Sequence, residues 1–194
     1  MAGLRERKKA TTHAALRTAA IELSLEHGPE AVTIEAICAR AEVSPRTFFN
    51  YFPGKDEAVV GWSAAESVWF ADTVEARPPS EDPLTAVEAA LADLIGLTTT
   101  SPIWHAQLEL LRLHPRLLGL LTTASSRMAA SAADGVARRT GLGVNDPQVL
   151  VLAAAAIAAF RVALARWLDS PEGTDGRVLL AEAIDMLRGG LEIS

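Results

Sequence analysis

Residues 33–55, TIEAICARAEVSPRTFFNYFPGK, decide the fold. Thr33 opens a short helical pattern, with a hydroxyl placed to accept from the free backbone N–H groups of a first turn. Ile34, Ile37, Cys38 and Ala41 follow at helical spacing and give one apolar face. Glu42 and Val43 make the turn, Val43 being the apolar plug between two crossing helices. Ser44-Pro45 starts a second helix. Serine is a favoured N-cap, and proline at the first helical position gives up an N–H that has no helical partner there. Phe48 and Phe52 face inward on that helix, whereas Arg46, Thr47, Asn50 and Tyr51 form its outer set. A short helix with hydrogen-bonding side chains on its outer face is what a major groove admits. The stretch is a helix-turn-helix and implies DNA recognition.

The flanking sequence is helical in both directions. A first helix is predicted over residues 11–27, ended by Gly28-Pro29 and presenting Leu16, Ala20 and Leu23 to the reading motif. A fourth is predicted over 55–76, with Asp56 and Glu57 in the first turn, where negative charge suits the helix dipole. Arg77-Pro78-Pro79-Ser80-Glu81-Asp82-Pro83 is the clearest linker. Helical patterns return at 84–97, 102–113, 115–140, 148–168 and 176–191, the last three separated by loops at 141–147 and 169–175. No alternating strand pattern or internal repeat stands out. The expected fold is all-α, with about nine helices.

Composition agrees. Hydrophobic residues make up 49% of the 194 and aromatics only 5%, which favours packed helices over sheet. The net charge of −6 is uneven: residues 1–55 carry eight Lys/Arg against six Asp/Glu, or +2, and residues 56–194 carry ten against eighteen, or −8. A weakly basic reader on an acidic body fits a regulator better than a nucleic-acid coat protein, which needs more positive charge. The single cysteine, Cys38, excludes an intramolecular disulfide and sits on an apolar face as a structural thiol. The opening Arg5-Glu6-Arg7-Lys8-Lys9 leads into a mixed helix and not an apolar core, so no signal peptide is expected; the run is either an arm reaching DNA or a solvated tail. The most apolar run, residues 149–160, is twelve long, short of the roughly 20 residues that span a membrane. A soluble, cytoplasmic protein with no membrane partner is expected.

The chain resembles the tetracycline-repressor (TetR) family of transcriptional regulators. The residues that carry the resemblance are Thr33, Ile37, Ala41, Val43-Ser44, Thr47-Phe48-Phe49, Tyr51-Phe52 and Lys55-Asp56-Glu57, preceded by Ala14-Ala15-Leu16, Ala20, Leu23 and His27-Gly28. The likeness covers about residues 11–60, where three helices and two turns agree in order and spacing; beyond that only length and helical character agree. Two departures stand out. Glu42 occupies a turn position where the family usually has glycine, which puts a side chain in a backbone conformation that glycine reaches more easily. Pro53-Gly54 replaces the commoner Ser or Asn before the fourth helix.

The resemblance implies an N-terminal DNA-binding domain at 1–55 and a helical ligand-binding and dimerisation domain at 56–194. Arg46 is the first candidate for a base edge, since guanidinium pairs bidentately with guanine, with a phosphate as the alternative. Asn50 and Tyr51 are candidates for bases or phosphates, and Thr47 for a mixed packing and DNA role. Thr33, Ser44 and Pro45 cap helices whose N–H groups also suit a phosphate. The family places an aromatic along the DNA backbone where Phe49 stands, and a phosphate-contacting lysine at Lys55. Trp62, Trp69, Trp104, His105 and Phe160 are the candidate lining of an effector site, and Trp104-His105 is the best pair because it sets an apolar wall beside a titratable donor. The alanine-rich segment Ala153–Ala156, Ala158 and Ala159 is apolar on nearly every face. Burial against a second subunit, through about 148–168 and 176–191, is favoured over burial within one. The expectation is a homodimeric repressor that leaves operator DNA when a small, largely apolar effector binds, with no cofactor and no metal. The competing readings are a nucleoid-like structural DNA protein and, last, a small helical enzyme, for which no nucleophile elbow, metal cluster or carboxylate pair is evident.

Overall fold

A computed structural model describes residues 2–171 and 173–190, the side chains of residues 2–7, 9, 98 and 99 excepted. The described residues form ten α-helices and one 3-10 segment: α1 (Ala2–His27), α2 (Ile34–Arg40), α3 (Pro45–Phe49), α4 (Lys55–Val60), α5 (Ala64–Ala76), α6 (Pro83–Thr100), α7 (Pro102–Leu113), the 3-10 segment (Pro115–Leu120), α8 (Leu121–Thr140), α9 (Pro147–Leu168) and α10 (Gly176–Arg188). They make two compact units. The first comprises Met1–Gly61 and Ser101–Leu121, the second Trp62–Thr100 and Thr122–Ser194. The units therefore do not follow the linear division at 55/56, because residues 101–121 join the DNA-reading part.

All nine expected helical stretches are present, with two broken and one extended. The first begins at Ala2, not at residue 11, so the backbone of the basic run 5–9 is helical. It ends as expected at Gly28, whose φ of +82° lets its N–H reach the Ser24 carbonyl at 2.9 Å. The stretch 55–76 is not one continuous helix. Gly61 turns the chain out of α4, and a side chain there would run into the Glu57 carbonyl. Ser63 then restarts the helix with a reciprocal capping box: Glu66 N–H donates to Ser63 Oγ at 3.1 Å, and Ser63 N–H to Glu66 Oε2 at 2.6 Å. The stretch 115–140 opens as a 3-10 segment, with Leu117 N–H on the His114 carbonyl at 2.9 Å, before becoming α8. Residues 191 and 172, which fell in the expected last helix and the loop before it, lie outside the described residues.

In the first unit α1 is the hub, packing on α2, α4 and α7, while α3 packs on α2. Leu16 and Ile21 of α1, Ile37, Phe48 and Leu110 are fully buried. A polar link runs through this core. Buried Arg17 donates through Nη2 to Gln107 Oε1 at 2.9 Å, and Gln107 Nε2 donates to the Val59 carbonyl at 2.8 Å. One glutamine thus ties α7 to both α1 and α4.

In the second unit α9 packs on α10 and α6, and α6 on α5. Helices α8 and α5 cross at Gly135, where a methyl group would overlap Val74 and the Ala71 carbonyl. α9 is 22 residues long, and an 18-residue window of it has a mean hydropathy of 2.1, so by length and composition alone it could cross a membrane. The apolar stretch exceeds the twelve residues expected because Val162, Ala163, Leu164 and Ala165 continue it past Arg161. One face is core: Val149, Ala153, Ala156, Ile157, Phe160, Ala163 and Trp167 are buried. The other is exposed yet equally apolar, with Val151, Ala154, Ala158 and Val162 in one stripe.

Candidate nucleic-acid interface

Each helix of the reading motif is fixed at its start by its own side chain. Thr33, extended at φ −112° and ψ 157°, accepts from Ala36 N–H at 3.1 Å, which orients α2. The turn follows, with Glu42 at φ +53°, the one non-glycine residue in the left-handed region among those described. The expected backbone strain is present, and the geometry it permits is specific: Val43 N–H reaches back to the Cys38 carbonyl at 3.0 Å. Ser44 Oγ then accepts from Thr47 N–H at 3.2 Å and shares a second hydrogen bond with Thr47 Oγ1 at 2.9 Å. Pro45 occupies the first turn of α3. Thr47 is therefore partly spent on the cap and only half-exposed.

α3 is pinned from below and open above. Phe48 is fully buried and Phe52 nearly so, their ring centroids 5.7 Å apart. His13 of α1 stacks beside Phe52 at 4.6 Å and stands 6.4 Å from Tyr51, which leaves Tyr51 half-buried. Arg46 and Asn50 are exposed, and so is Phe49, at 57%, an unusual degree for a phenylalanine. Phe49 and Asn50 follow Arg46 by three and four residues, and so both lie on its solvent side of one helical turn.

Two cations near the motif are already committed. Arg40 lays its guanidinium along Glu26 of α1, with contacts of 3.1 and 2.9 Å, and reaches Glu22 at 3.5 Å. This hydrogen bonding holds the Glu26 carboxyl below its ordinary range. Lys55 Nζ donates to the carbonyls of Pro29, Glu30 and Val32 at 3.0, 3.1 and 2.8 Å, using all three of its donors on the loop before α2. Glu30 in turn pairs with Arg116 of the 3-10 segment. Of Arg40, Arg46 and Lys55, Arg46 alone has no ion pair or hydrogen bond of its side chain among the described residues. Neither the Arg40–Glu26 pair nor the Lys55 anchorage was legible in sequence, since each joins segments more than a dozen residues apart. Cys38 is buried, and that desolvation, with a smaller contribution from Glu35, pushes its thiol up.

The five candidate effector residues fall in two groups. Trp62 and Phe160 are buried in the second unit, and Trp69 is half-buried there. The Trp62 ring meets Phe70 edge-on at 6.0 Å, and Trp69 lies 6.2 Å from the same Phe70. Phe160 faces inward on α9. Trp104 and His105 belong to the first unit: Arg17 stacks over the Trp104 ring at 4.6 Å, and His105 is exposed. Trp104 thus serves the Arg17–Gln107 link. No group of three potential metal ligands converges among the described residues.

Comparison with known proteins bears on both units. Residues 16–59 match the sequence family described as bacterial regulatory proteins, tetR family, and residues 81–192 match the MftR C-terminal domain. The chain is similar to the HTH-type transcriptional regulator TcmR of Streptomyces glaucescens, 32% identical over 151 residues, which span 74% of this chain and 67% of that protein. Among solved structures it is similar to Thermus thermophilus FadR, a TetR family transcriptional repressor in complex with lauroyl-CoA (TM-score 0.58, 20% identity, 94% of this chain and 96% of that one). It is also similar to SmeT in a triclosan complex (TM-score 0.58, 18% identity, 92% and 90%). SmeT is the repressor of the Stenotrophomonas maltophilia multidrug efflux pump SmeDEF. At those identities the likeness is one of fold.

Proposed function

Because the chain belongs to the TetR family of bacterial transcriptional regulators, we propose that it is a homodimeric repressor that a small, largely apolar ligand releases from its operator. DNA binding and regulation come with the family. The repressor role, the dimer, the ligand and the individual contacts are our reading.

The observation that carries the DNA contacts is the exposed turn of Arg46, Phe49 and Asn50 on a helix capped by Ser44 and seated on Phe48. Arg46 and Asn50 take base edges, the first suited to guanine and the second to adenine. Phe49 and Tyr51 lie along the sugar-phosphate backbone, while Thr33, Ser44, Pro45 and Thr47 set the helix N-termini toward phosphates. Lys55, whose ammonium is engaged with three carbonyls, positions the loop before α2 and makes no phosphate contact of its own.

The exposed apolar stripe of α9, continued by Val178 and Met186 on α10, supports an isologous interface between two copies. Two copies would place two reading helices on successive half-sites of a palindromic operator. Two of the fold relatives hold lauroyl-CoA and triclosan, each with a large apolar part, which supports an apolar effector here. Such an effector acts only through different affinities for the DNA-competent and DNA-incompetent states. The protein acts in the cytoplasm, where its operator is.

Selection of bound sequences from random DNA tests this reading, followed by sedimentation of the complex. The expected result is a palindrome bound by two subunits in the presence of excess competitor DNA. A site without two-fold symmetry, or binding by a monomer, would overturn it.

A further inference from the structure

Trp62 is 3% exposed, and its indole N–H has no hydrogen-bond partner among the described residues. Buried indole N–H groups ordinarily find an acceptor, and leaving one unpaired costs stability. A purely apolar ring would carry no such unpaired donor. The neighbouring polar groups are already occupied. Arg127 Nη1 donates to the Trp62 carbonyl at 3.1 Å, and Ser131 Oγ donates to the Arg127 carbonyl at 2.8 Å. Phe70 lies against Trp62, and Trp69 against Phe70.

We propose that Trp62 is the polar anchor of an effector site in the second unit, its indole N–H donating to a neutral carbonyl or ether oxygen on an otherwise apolar molecule. The inference rests on the reading of the protein as ligand-responsive and narrows the ligand class. An indole N–H can only donate, so the group it holds must accept. The adjoining Phe70 ring, with Trp69 beyond it, favours an apolar body, and the burial of Trp62 favours a neutral acceptor over a carboxylate, whose desolvation costs far more. The anchor also supplies selectivity, because a ligand lacking the oxygen leaves the donor as unpaired as before.

The test uses the full chain labelled with nitrogen-15, acetophenone as the probe, and ethylbenzene and benzoate as its matched controls. The four tryptophans give separate indole signals, and Trp62→Phe identifies the one in question. Trp167 is the internal standard, since its Nε1 donates to the Thr174 carbonyl at 2.9 Å. In the free protein the Trp62 indole proton should lie upfield of the Trp167 proton. Acetophenone should move it downfield and ethylbenzene should not. Wild type should prefer acetophenone to ethylbenzene by about five- to tenfold, a preference that Trp62→Phe abolishes. A Trp62 proton as far downfield as that of Trp167 in the free protein would overturn the proposal. So would the absence of any shift with acetophenone at its solubility limit, or a preference for benzoate. Operator affinity is measured in parallel. If acetophenone shifts Trp62 while operator binding is unchanged, release by a ligand fails as a reading and the anchor stands.

Discussion

Lys55 Nζ lies 2.8 Å from the Val32 carbonyl, one residue before the Thr33 cap that orients α2. The lysine that family likeness would set on a phosphate is, in this chain, a clamp on the loop between α1 and α2. A phosphate contact and a clamp differ in what the salt dependence of binding reports. Lys55→Met should lower stability by about 1–3 kcal/mol, because three hydrogen bonds to a charged donor are lost at a partly buried site. It should leave the slope of log affinity against log salt unchanged. Loss of a phosphate contact would instead reduce that slope by about one. Thermal melts paired with a salt titration of operator binding decide between the two, and a flattened slope with an unchanged melt would restore the phosphate role.

Arg46 has the opposite profile, since its side chain is exposed and supports nothing in the fold. Arg46→Ala should leave the melting temperature within error and weaken specific binding by about 1–3 kcal/mol, relaxing preference at one base per half-site. A variant that binds all sequences more weakly by the same factor would place the guanidinium on a phosphate.

At Glu42 the left-handed backbone, φ +53°, is held by a residue with a side chain. Such a conformation costs an ordinary residue about 1–2 kcal/mol, and glycine gives back part of the difference through its larger entropy loss on folding. Glu42→Gly should therefore stabilise the protein by about 0.5–1 kcal/mol and raise its melting temperature by roughly 1–4 °C. Denaturant unfolding measures this directly, and a destabilised variant would show that the Glu42 side chain contributes more than the strain it causes.

The thiol of Cys38 is buried, and that burial holds its ionisation above the ordinary thiol range. Alkylation requires the thiolate, so iodoacetamide at neutral pH should label Cys38 only through opening of the first unit. The rate should rise in step with denaturant. Labelling as fast as that of a free thiol in buffer would mean that the apolar face of α2 is open.

The reading motif was legible because its determinants are local. Thr33 caps three residues ahead, Ser44 and Pro45 start α3 on their own, and Phe48 and Phe52 repeat at helical spacing. The same kind of local signal marked the break before α5: Ser63 and Glu66 stand at capping-box spacing, and the glycine at 61 precedes them. It was overridden by the continuous apolar pattern on either side. What could not be read was any relationship that closes over a long separation. Arg17 meets Gln107 across 90 residues, and no periodicity in either helix announces that α7 belongs with α1. For the same reason Trp104 and Trp62 were read together as candidate lining of an effector site, although the two stand in different units.

Ala158 and Ala159 are adjacent in sequence and opposite in environment. Ala159 is buried on the inner face of α9, while Ala158 is exposed on the outer one, in the stripe with Val151, Ala154 and Val162. The alanine-rich pattern marks both as interface candidates, and their placement separates folding from association. Ala159→Arg forces a charge into the core of the second unit and should unfold it, or leave it aggregated. Ala158→Arg adds a guanidinium to a face that the subunit itself leaves open, so the monomer should fold with unchanged helical content. Across a two-fold axis the introduced charges would meet within the stripe of Val151, Ala154 and Val162, already beside the exposed Arg161, at a desolvation cost that the remaining contacts must overcome. Ala158→Arg should therefore sediment as a monomer at micromolar concentration, where the wild type is a dimer, and should lose most of its operator affinity because the two reading helices no longer bind together. A dimer that persists in Ala158→Arg, with operator affinity intact, would show that copies of this chain associate through some other face.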